Sequence, residues 1–320
     1  MKHTNSKQKL KDIINFCQAI FTLCIICLYQ ANISNSYPIY AQQTYENPRE
    51  STGRIVCANC HLAQKNIYIE APKEVLPNTV FETVVKIPYE FNKKQILGNG
   101  SKGDLNVGAV VILPEGFKLA PKDRMDEKLL KKTKNLYFNN YSQKLDNIIV
   151  IGPITGKDNQ EITFPILAPD PQINKNTHFL KYSIYVGANK GRGQLYPSGE
   201  KSNNNPIPSN AEGRIEKIKP NEDGGYEVII KTKDDETISQ YVPIGLNLTI
   251  KEGQRIKAGE YITTDPNVGG FGQSEIEIVL QNPTRLISFI FFSISVLISQ
   301  LFFVLKKKQF EKVQSLNQNF

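Results

Sequence analysis

The sequence predicts a mainly β protein, built as an antiparallel β-sandwich with a small inserted β domain, one helix near the N-terminus and one C-terminal membrane helix. Three observations carry this prediction. Short apolar or alternating runs recur between Pro, Gly and Asn breaks. A two-cysteine motif follows a segment with helix-start signals. Residues 286–305 form an uncharged stretch long enough to cross a bilayer.

The runs of the larger domain alternate or are wholly apolar over five to nine residues, as strands of a sandwich do. They are residues 79–87, 107–113, 147–151, 161–167 and 179–186. Outside the N-terminal segment, only residues 126–133 have a helical pattern. A chain of this length can bury a core that needs no disulfide.

A polar, Pro-containing break at residues 203–208 precedes a second group of short apolar runs. These runs are residues 214–218, 226–232, 237–242 and 246–250. The turns at 243–245 and 251–260 resemble those of lipoyl- or biotinyl-carrier folds, but no lysine is placed as a modification site. We therefore predict a small β domain at 205–266, inserted between residues 37–204 and 267–285 of the large domain.

The pentapeptide Cys57-Ala58-Asn59-Cys60-His61 is the strongest chemical signal. Two thiols three positions apart can each add to one vinyl group of a haem, and the adjacent imidazole can bind the iron. On a helix these three side chains are spaced i, i+3 and i+4, so they project from one face.

The residues before the pentapeptide favour such a helix. Asn47 can serve as its N-cap, Pro48 suits the first helical position, and Glu50 falls where a capping-box acid reaches back. The prediction is a helix that starts at Asn47 and carries the pentapeptide.

Two other readings of the motif are weaker. A structural zinc site needs four ligands, and the exported part offers only the two cysteines, His61 and the distant His178. A thioredoxin-like redox pair needs a preceding strand and a βαβ neighbourhood, and neither is apparent.

Residues 1–36 have the features of a cleaved signal peptide. A basic start is followed by an apolar stretch at 13–29, and Ser34 and Ser36 suit cleavage before Tyr37. An uncleaved membrane helix is the alternative. Cys17, Cys24 and Cys27 fall in this segment, so no structural disulfide is left to the mature chain.

The predicted membrane helix spans residues 286–305, about 30 Å at 1.5 Å per residue. Lys306, Lys307 and Lys308 follow it, whereas only Arg285 immediately precedes it. By the positive-inside rule the tail at 306–320 faces the cytoplasm-equivalent side, and the folded body lies on the other side.

The second axial ligand of a bound haem stays open on the residues alone. Met125 lies in a charged run, and His178 begins a strand-like run. A lysine or the new N-terminal amine are the other candidates. An α-amine has a pKa of about 8, far below that of lysine, so its lone pair is freed more easily.

Several motifs together resemble the cytochrome f family, the membrane-anchored c-type cytochromes of the photosynthetic cytochrome b6f complex. They are residues 37–43, Tyr45-Glu46-Asn47-Pro48-Arg49-Glu50, Gly53-Arg54-Ile55-Val56, the pentapeptide with Leu62-Ala63, Gly191-Arg192-Gly193-Gln194, Asn267-Val268-Gly269-Gly270-Phe271-Gly272-Gln273, and residues 306–313. The resemblance covers essentially the whole mature chain and is weakest between about 211 and 266.

The resemblance implies an electron carrier that is not itself an enzyme. One haem c would be attached through Cys57 and Cys60, with His61 and the amine of Tyr37 as axial ligands and Tyr40 packed on the haem. Electrons would come from the Rieske iron–sulfur protein and pass to plastocyanin or a small c-type cytochrome, with cytochrome b6 among the partner subunits. The folded part would be elongated.

The resemblance also implies two groups of accessory residues. Lys94 and Lys102 match a lysine patch that steers an acidic electron acceptor, and scattered solubilising lysines are the alternative. The amides matching an internal water chain are Gln95, Asn189, Gln194, Asn204 and Asn267.

The charge balance agrees with an acidic partner. The chain has a net charge of +8; residues 1–36 carry four Lys and one Asp, or +3, which leaves +5. An export signal and the absence of a suitable motif exclude nucleic acid as a partner.

The N-terminus is not a Ser- and Arg-rich transit peptide, which indicates a gene encoded in a plastid or in a cyanobacterium, and the abundance of Asn, Lys and Ile favours an algal plastid. The predicted location is therefore the plastid thylakoid membrane, with the haem domain in the lumen. Two alternatives remain. One is an anchored c-type cytochrome serving another exported redox enzyme. The other is a non-redox adaptor built on the carrier-like small domain, which absence of covalent haem would favour.

Overall fold

The computed structural model describes residues 39–222 and 224–318. The predicted signal peptide at 1–36 and the predicted axial ligand Tyr37 lie outside the described residues. The described chain is mainly β, as the sequence predicts, and ends in one long apolar helix.

Sixteen strands and three α-helices are described. The helices are α1 (Ile39–Thr44), α2 (Glu127–Thr133) and α3 (Pro283–Asn317), and short 3₁₀ turns cover Val56–Asn59 and Lys122–Arg124. The strands are β1 (Tyr68–Glu70), β2 (Glu74–Val75), β3 (Val80–Lys86), β4 (Gln95–Ile96), β5 (Lys102–Gly103), β6 (Asn106–Ile112), β7 (Lys118–Leu119), β8 (Asn139–Ser142), β9 (Leu145–Thr155), β10 (Glu161–Leu167), β11 (Lys181–Lys190), β12 (Gly213–Pro220), β13 (Tyr226–Lys231), β14 (Thr237–Val242), β15 (Arg255–Ile256) and β16 (Gly270–Leu280).

Two sheets form the predicted sandwich. One has the order β1-β3-β10-β7, and the other has the order β2-β16-β11-β6-β9-β8. Strand β3 alternates between buried and half-buried residues, as expected for a strand with one face on a core. The largest buried cluster, which includes Phe117 and Phe164, draws residues from both sheets and is the sandwich core.

The six-stranded sheet is covered on both faces. Six consecutive residues of β6 are buried, so the strand does not alternate. A separate cluster on the outer side joins Val110 and Val150 of the sheet to Ile55, and Ala41, Cys57 and Ala58 pack against it. The N-terminal segment therefore lies across the outer face of this sheet and brings the cysteine motif with it.

The small sheet has the order β14-β13-β12-β15 and its own buried cluster. Ile96 of the β4–β5 hairpin joins that cluster, so the hairpin links the two sheets. Ile262 donates a hydrogen bond to the carbonyl of Ile207 (2.8 Å), so the chain enters and leaves this part side by side. The bounds 205–266 stay a prediction.

The strand predicted at 246–250 is wrong. Leu246 and Ile250 are buried in the second cluster, but only an isolated bridge, between Leu248 and Thr263, forms there. The apolar pattern reflects burial of these side chains, and burial does not require the backbone to form a run of hydrogen bonds with a neighbouring strand.

Helix α3 contains the predicted membrane span at 286–305. Asn282 caps it by accepting a hydrogen bond from Arg285 N (3.1 Å), and Pro283 opens it. Within the described residues it is the one helix long and apolar enough to cross a membrane, and an 18-residue stretch of it has a mean hydropathy of 2.3. It continues as a helix beyond the apolar stretch to Asn317.

Helix α1 is held to strand β8 by buried polar contacts. The Tyr141 hydroxyl lies 2.7 Å from the carbonyl oxygen of Ala41 and 2.8 Å from that of Tyr45, and the side chain is buried. Gln42 donates to the carbonyl of Tyr141 at 2.7 Å. These bonds fix the start of the described chain beside the cysteine motif.

We predict that Tyr141→Phe lowers the free energy of unfolding of the full chain by about 1–3 kcal/mol, because it removes the hydroxyl that lies against the carbonyls of Ala41 and Tyr45. Urea unfolding in detergent measures it. The control Tyr137→Phe changes a ring that is 79% exposed and should shift stability by less than about 0.5 kcal/mol. Equal effects of the two substitutions would contradict the anchoring role.

Candidate functional site

The cysteine motif forms a single tight turn. The carbonyl of Cys57 accepts hydrogen bonds from Cys60 N (3.3 Å) and His61 N (3.0 Å). Cys57, Cys60 and His61 therefore follow one another around one helical turn, as their spacing predicts. The turn is the 3₁₀ segment Val56–Asn59 and its immediate continuation.

The longer helix predicted from Asn47 is wrong. The Asn47 side chain accepts from Arg49 N (2.9 Å), which closes a local turn, and residues 50–54 form a second turn with Gly53 at a φ of +86°. Asn and Pro are favoured in turns as well as at helix starts, so the residues that predicted a helix start form turns instead.

Gln273 of β16 holds the entry to the turn. Its Oε1 accepts from Ile55 N (3.0 Å), and its Nε2 donates to the carbonyl of Gly53 (3.1 Å). Beside it, the Arg49 guanidinium lies 3.8 Å from the centre of the Tyr185 ring. A strand more than two hundred residues away thus positions the first cysteine.

Gln194 holds the exit from the turn. Gln194 N donates to the carbonyl of Cys60 (2.7 Å), and Gln194 Oε1 accepts from Leu62 N (2.8 Å). A Cβ on Gly193 would lie 3.1 Å from that same carbonyl, tighter than ordinary contact. The second cysteine and the histidine are therefore fixed by the loop that follows β11.

The chain beyond His61 lies flat against the start of β16. Phe271 N donates to the carbonyl of Ala63, and Lys65 N donates to the carbonyl of Phe271, both at 2.8 Å. Added Cβ atoms on Gly270 and Gly272 would come within 2.4 and 2.0 Å of backbone oxygens of this segment. Glycine is required here because the two backbones approach so closely.

Burial keeps the three reactive groups of the motif neutral. Desolvation raises the pKa of Cys57 to about 12 and also raises the pKa of Cys60. It lowers the pKa of His61 to about 4, and His61 Nδ1 is buried without a hydrogen-bond partner. Both thiols are free.

These residues fit a covalently bound haem. Two unpaired thiols are available for thioether bonds, and an uncharged imidazole has the free lone pair that iron ligation needs. Among the described residues no group of three or more His, Cys, Asp or Glu could hold a metal ion.

One of the alternative axial ligands, His178, lies far from the motif. His178 is exposed and precedes β11, whereas Gln194, which touches the motif, follows the far end of that strand. At about 3.3 Å per residue, ten residues of strand separate them by roughly 30 Å. Met125 ends the 3₁₀ turn Lys122–Arg124 and makes no described contact with the motif. Tyr40 lies on α1 and is 44% exposed.

Four of the five predicted water-chain amides gather around Arg192. Asn204 Nδ2 lies 2.9 Å from the Arg192 carbonyl and 3.3 Å from Asn267 Oδ1, and Gln194 Nε2 lies 3.5 Å from the same carbonyl. Gln95 Oε1 faces the neighbouring Gly191. Asn189 is half-buried on β11, and no described hydrogen bond joins its side chain to the other four.

The two predicted docking lysines belong to one hairpin but differ in their pairing. Lys94 precedes β4 and forms an ion pair with Asp104, whose pKa it lowers. Lys102 of β5 is exposed and has no ion pair among the described residues. Arg192 Nη1 donates to the carbonyl of Ile96 (2.8 Å), so the hairpin adjoins the loop that holds Cys60.

Sequence reasoning gave no role to Tyr141 and none to the side chain of Gln273. Gln273 is the last residue of the motif at 267–273 that carries part of the family resemblance, so the sequence did indicate that this position matters. Tyr141 had no such signal, because its partners lie about a hundred residues away on α1.

Comparison with known proteins gives the same family over nearly the whole chain. The family model described as apocytochrome F, N-terminal, matches residues 37–191, and the model described as apocytochrome F, C-terminal, matches residues 203–320.

Curated relatives agree. The chain is 60% identical to cytochrome f of Porphyra purpurea (98% of this chain, all of the relative). It is 61% identical to that of Gracilaria tenuistipitata var. liui (89% and 92%) and 54% identical to that of Pinus thunbergii (all of both chains). The chain therefore belongs to the cytochrome f family.

Proposed function

We propose that this chain, by family a c-type cytochrome of photosynthetic electron transport, relays single electrons within the cytochrome b6f complex. It takes them from the Rieske iron–sulfur protein and passes them to plastocyanin or a small c-type cytochrome. The observation that carries the proposal is the single clamped turn that joins two free thiols to a neutral imidazole. The haem supplies the one-electron chemistry when bound.

The protein's own residues hold and orient that group. Cys57 and Cys60 fix it covalently, and the half-buried His61 offers its lone pair without first losing a proton. Gln273 and Gln194 bind the backbone on both sides of the turn. A ligand held in this way moves little when the charge on the iron changes, which suits an electron carrier.

The amine of Tyr37 is the proposed second axial ligand. The N-terminal family model begins at residue 37, where the sequence predicts cleavage. Helix α1 starts two residues later, and its Ala41 packs against the same cluster as Cys57 and Ala58. Tyr40 would cover part of the haem from the same helix.

A chain of ordered water near the motif is supported by unpaired acceptors. Gln95 Oε1 and Asn204 Oδ1 are buried and have no hydrogen-bond partner. Buried acceptors without protein partners are usually satisfied by ordered water. Together with Gln194, Asn267 and Asn189 they mark a polar passage beside the loop that holds Cys60.

The proposed docking surface for the acidic acceptor includes the β4–β5 hairpin. The hairpin adjoins the loop that binds Cys60, which supports a role for Lys94 and Lys102 in steering the acceptor to that side of the protein. Electrostatic steering by such charges raises association rates and fades with salt.

Helix α3 anchors the protein in the plastid thylakoid membrane in this proposal. Lys306, Lys307 and Lys308 favour a stromal tail and a lumenal haem domain. Residues 205–266 are proposed as the small domain.

The proposal predicts the mass and colour of the purified full chain. We expect a mass equal to residues 37–320 plus one haem, and a reduced c-type optical spectrum. The double variant Cys57→Ser with Cys60→Ser should lose the covalent haem, because no thioether can form. A bare polypeptide mass for the unchanged protein would contradict the proposal and favour the adaptor.

The pairing of the lysines predicts unequal roles in docking. Lys102→Ala should lower the association rate with an acidic acceptor at low salt more than Lys94→Ala does, because Asp104 already offsets Lys94. Stopped-flow electron transfer at two ionic strengths measures this. Lys131→Ala, an exposed lysine on α2, is the control. A larger loss for Lys94→Ala would contradict the account.

A further inference from the structure

Three exposed aliphatic side chains lie at one end of the β-sandwich. Leu76 is 46% exposed, Ile173 is 81% exposed and Leu180 is 56% exposed. None of them belongs to the haem site. We call these three residues the apolar rim.

Two members of the apolar rim lie where the chain leaves for the membrane. Leu280, the last residue of β16, donates its N–H to the carbonyl of Leu180 (3.0 Å). The next residue, Gln281, donates to the carbonyl of Val75 (2.9 Å), directly before Leu76. Helix α3 begins two residues after Gln281.

Ile173 lies at the same end of the sandwich. Its loop packs on the turn after β6, where a Cβ on Gly116 would come within 2.7 Å of Thr177 Oγ1. Ile112, the last residue of β6, pairs with Tyr185 near the start of β11, and Lys181 of β11 pairs with Val279 of β16. The sheet register therefore brings the Ile173 loop to the end where β16 gives way to α3.

Chain length sets the distance between this end and the bilayer. The apolar stretch starts at Leu286, four residues after the cap Asn282, which is about 6 Å of helix. A headgroup layer is about 5–7 Å thick, since a bilayer is about 40–45 Å across with a core of about 30 Å. Whatever the tilt of α3, the sheet end lies at about the level of the headgroups.

Three exposed cations at this end suit a lipid surface, and Glu74 is an exposed carboxylate beside them that accepts a hydrogen bond from Gln281 Nε2 (3.2 Å). Lys73, Lys175 and Arg285 are exposed, and none has an ion pair in the described part of the chain. Lys175 lies two residues from Ile173, and Lys73 lies three from Leu76. Exposed cations next to exposed aliphatic side chains are the combination that binds an interface with anionic lipid.

We propose that the apolar rim inserts into the headgroup region of the bilayer and that this second contact orients the β-sandwich on the membrane. The proposal rests on α3 crossing the membrane, but not on the haem. The partner is the lipid surface itself. Rim and helix together give two attachment points, which restrict rotation of the body about the short connection at Asn282.

The absence of tryptophan from the chain allows a direct test. Ile173→Trp and Leu180→Trp each place one fluorophore on the rim of the full haem-bearing chain in lipid nanodiscs. We expect both emissions to be quenched when the lipid is brominated near the top of the acyl chain. Each variant is compared with itself in unbrominated lipid, so quenching by the haem cancels.

Two further variants separate the possible outcomes. Phe91→Trp is the matched control, because this ring is also 56% exposed but lies at the opposite end of the sheet. It meets Tyr89 edge-to-face, and the Tyr89 hydroxyl accepts a hydrogen bond from Leu105 N, directly before β6. It should not be quenched. Phe292→Trp, inside α3, reports insertion of the helix.

Quenching of Phe292→Trp without quenching at positions 173 and 180 would overturn the rim contact and leave the anchor intact. No quenching at any of the four positions would overturn the anchor and the rim together. Neither result would alter the mass and spectrum that test the haem, so the two proposals fail independently.

Discussion

The close approach of three distant backbone segments is the constraint on which the rest of this structure depends. The cysteine turn is bound on one side by Gln273 and on the other by Gln194. The β16 side requires glycine, since side chains on Gly270 or Gly272 would collide with the segment after His61. The cysteine motif is short, but its geometry is fixed by residues more than a hundred positions away.

This constraint explains where the small sheet is placed. The chain leaves for the small sheet soon after the loop that contains Gln194, and it returns just before Gln273. The two passages run side by side at Ile207 and Ile262. The small part can therefore be inserted without disturbing the site, because both of its connections belong to the segments that clamp the cysteine turn.

The covering of the six-stranded sheet has the same origin. Strand β6 is buried along nearly its whole length because the sandwich core lies on one face and the N-terminal segment lies on the other. Burial of that segment removes water from Cys57 and His61 and so keeps both groups neutral. The contact between the N-terminal segment and the six-stranded sheet therefore both covers the sheet and shifts the pKa values of Cys57 and His61.

Strands with clear alternation or long apolar runs could be predicted from the sequence, and residues 161–167 match strand β10 without a shift. The helix from Asn47 could not be excluded, because Asn, Pro and Glu also suit the turns that form there. The strand at 246–250 failed because burial alone does not require a ladder. The motif chemistry depended only on local spacing, whereas Tyr141 and Gln273 act through contacts that no local pattern reveals.

Amide hydrogen exchange at Ile55 and Leu62 tests the clamp most directly. Each amide donates to a glutamine side chain from another part of the chain, at 3.0 and 2.8 Å. The account predicts that both exchange as slowly as the amides of β11, because opening them requires release of β16 or of the Gln194 loop. Exchange as fast as that of the exposed Thr52 would show that the cysteine turn is held only locally, and would contradict the account.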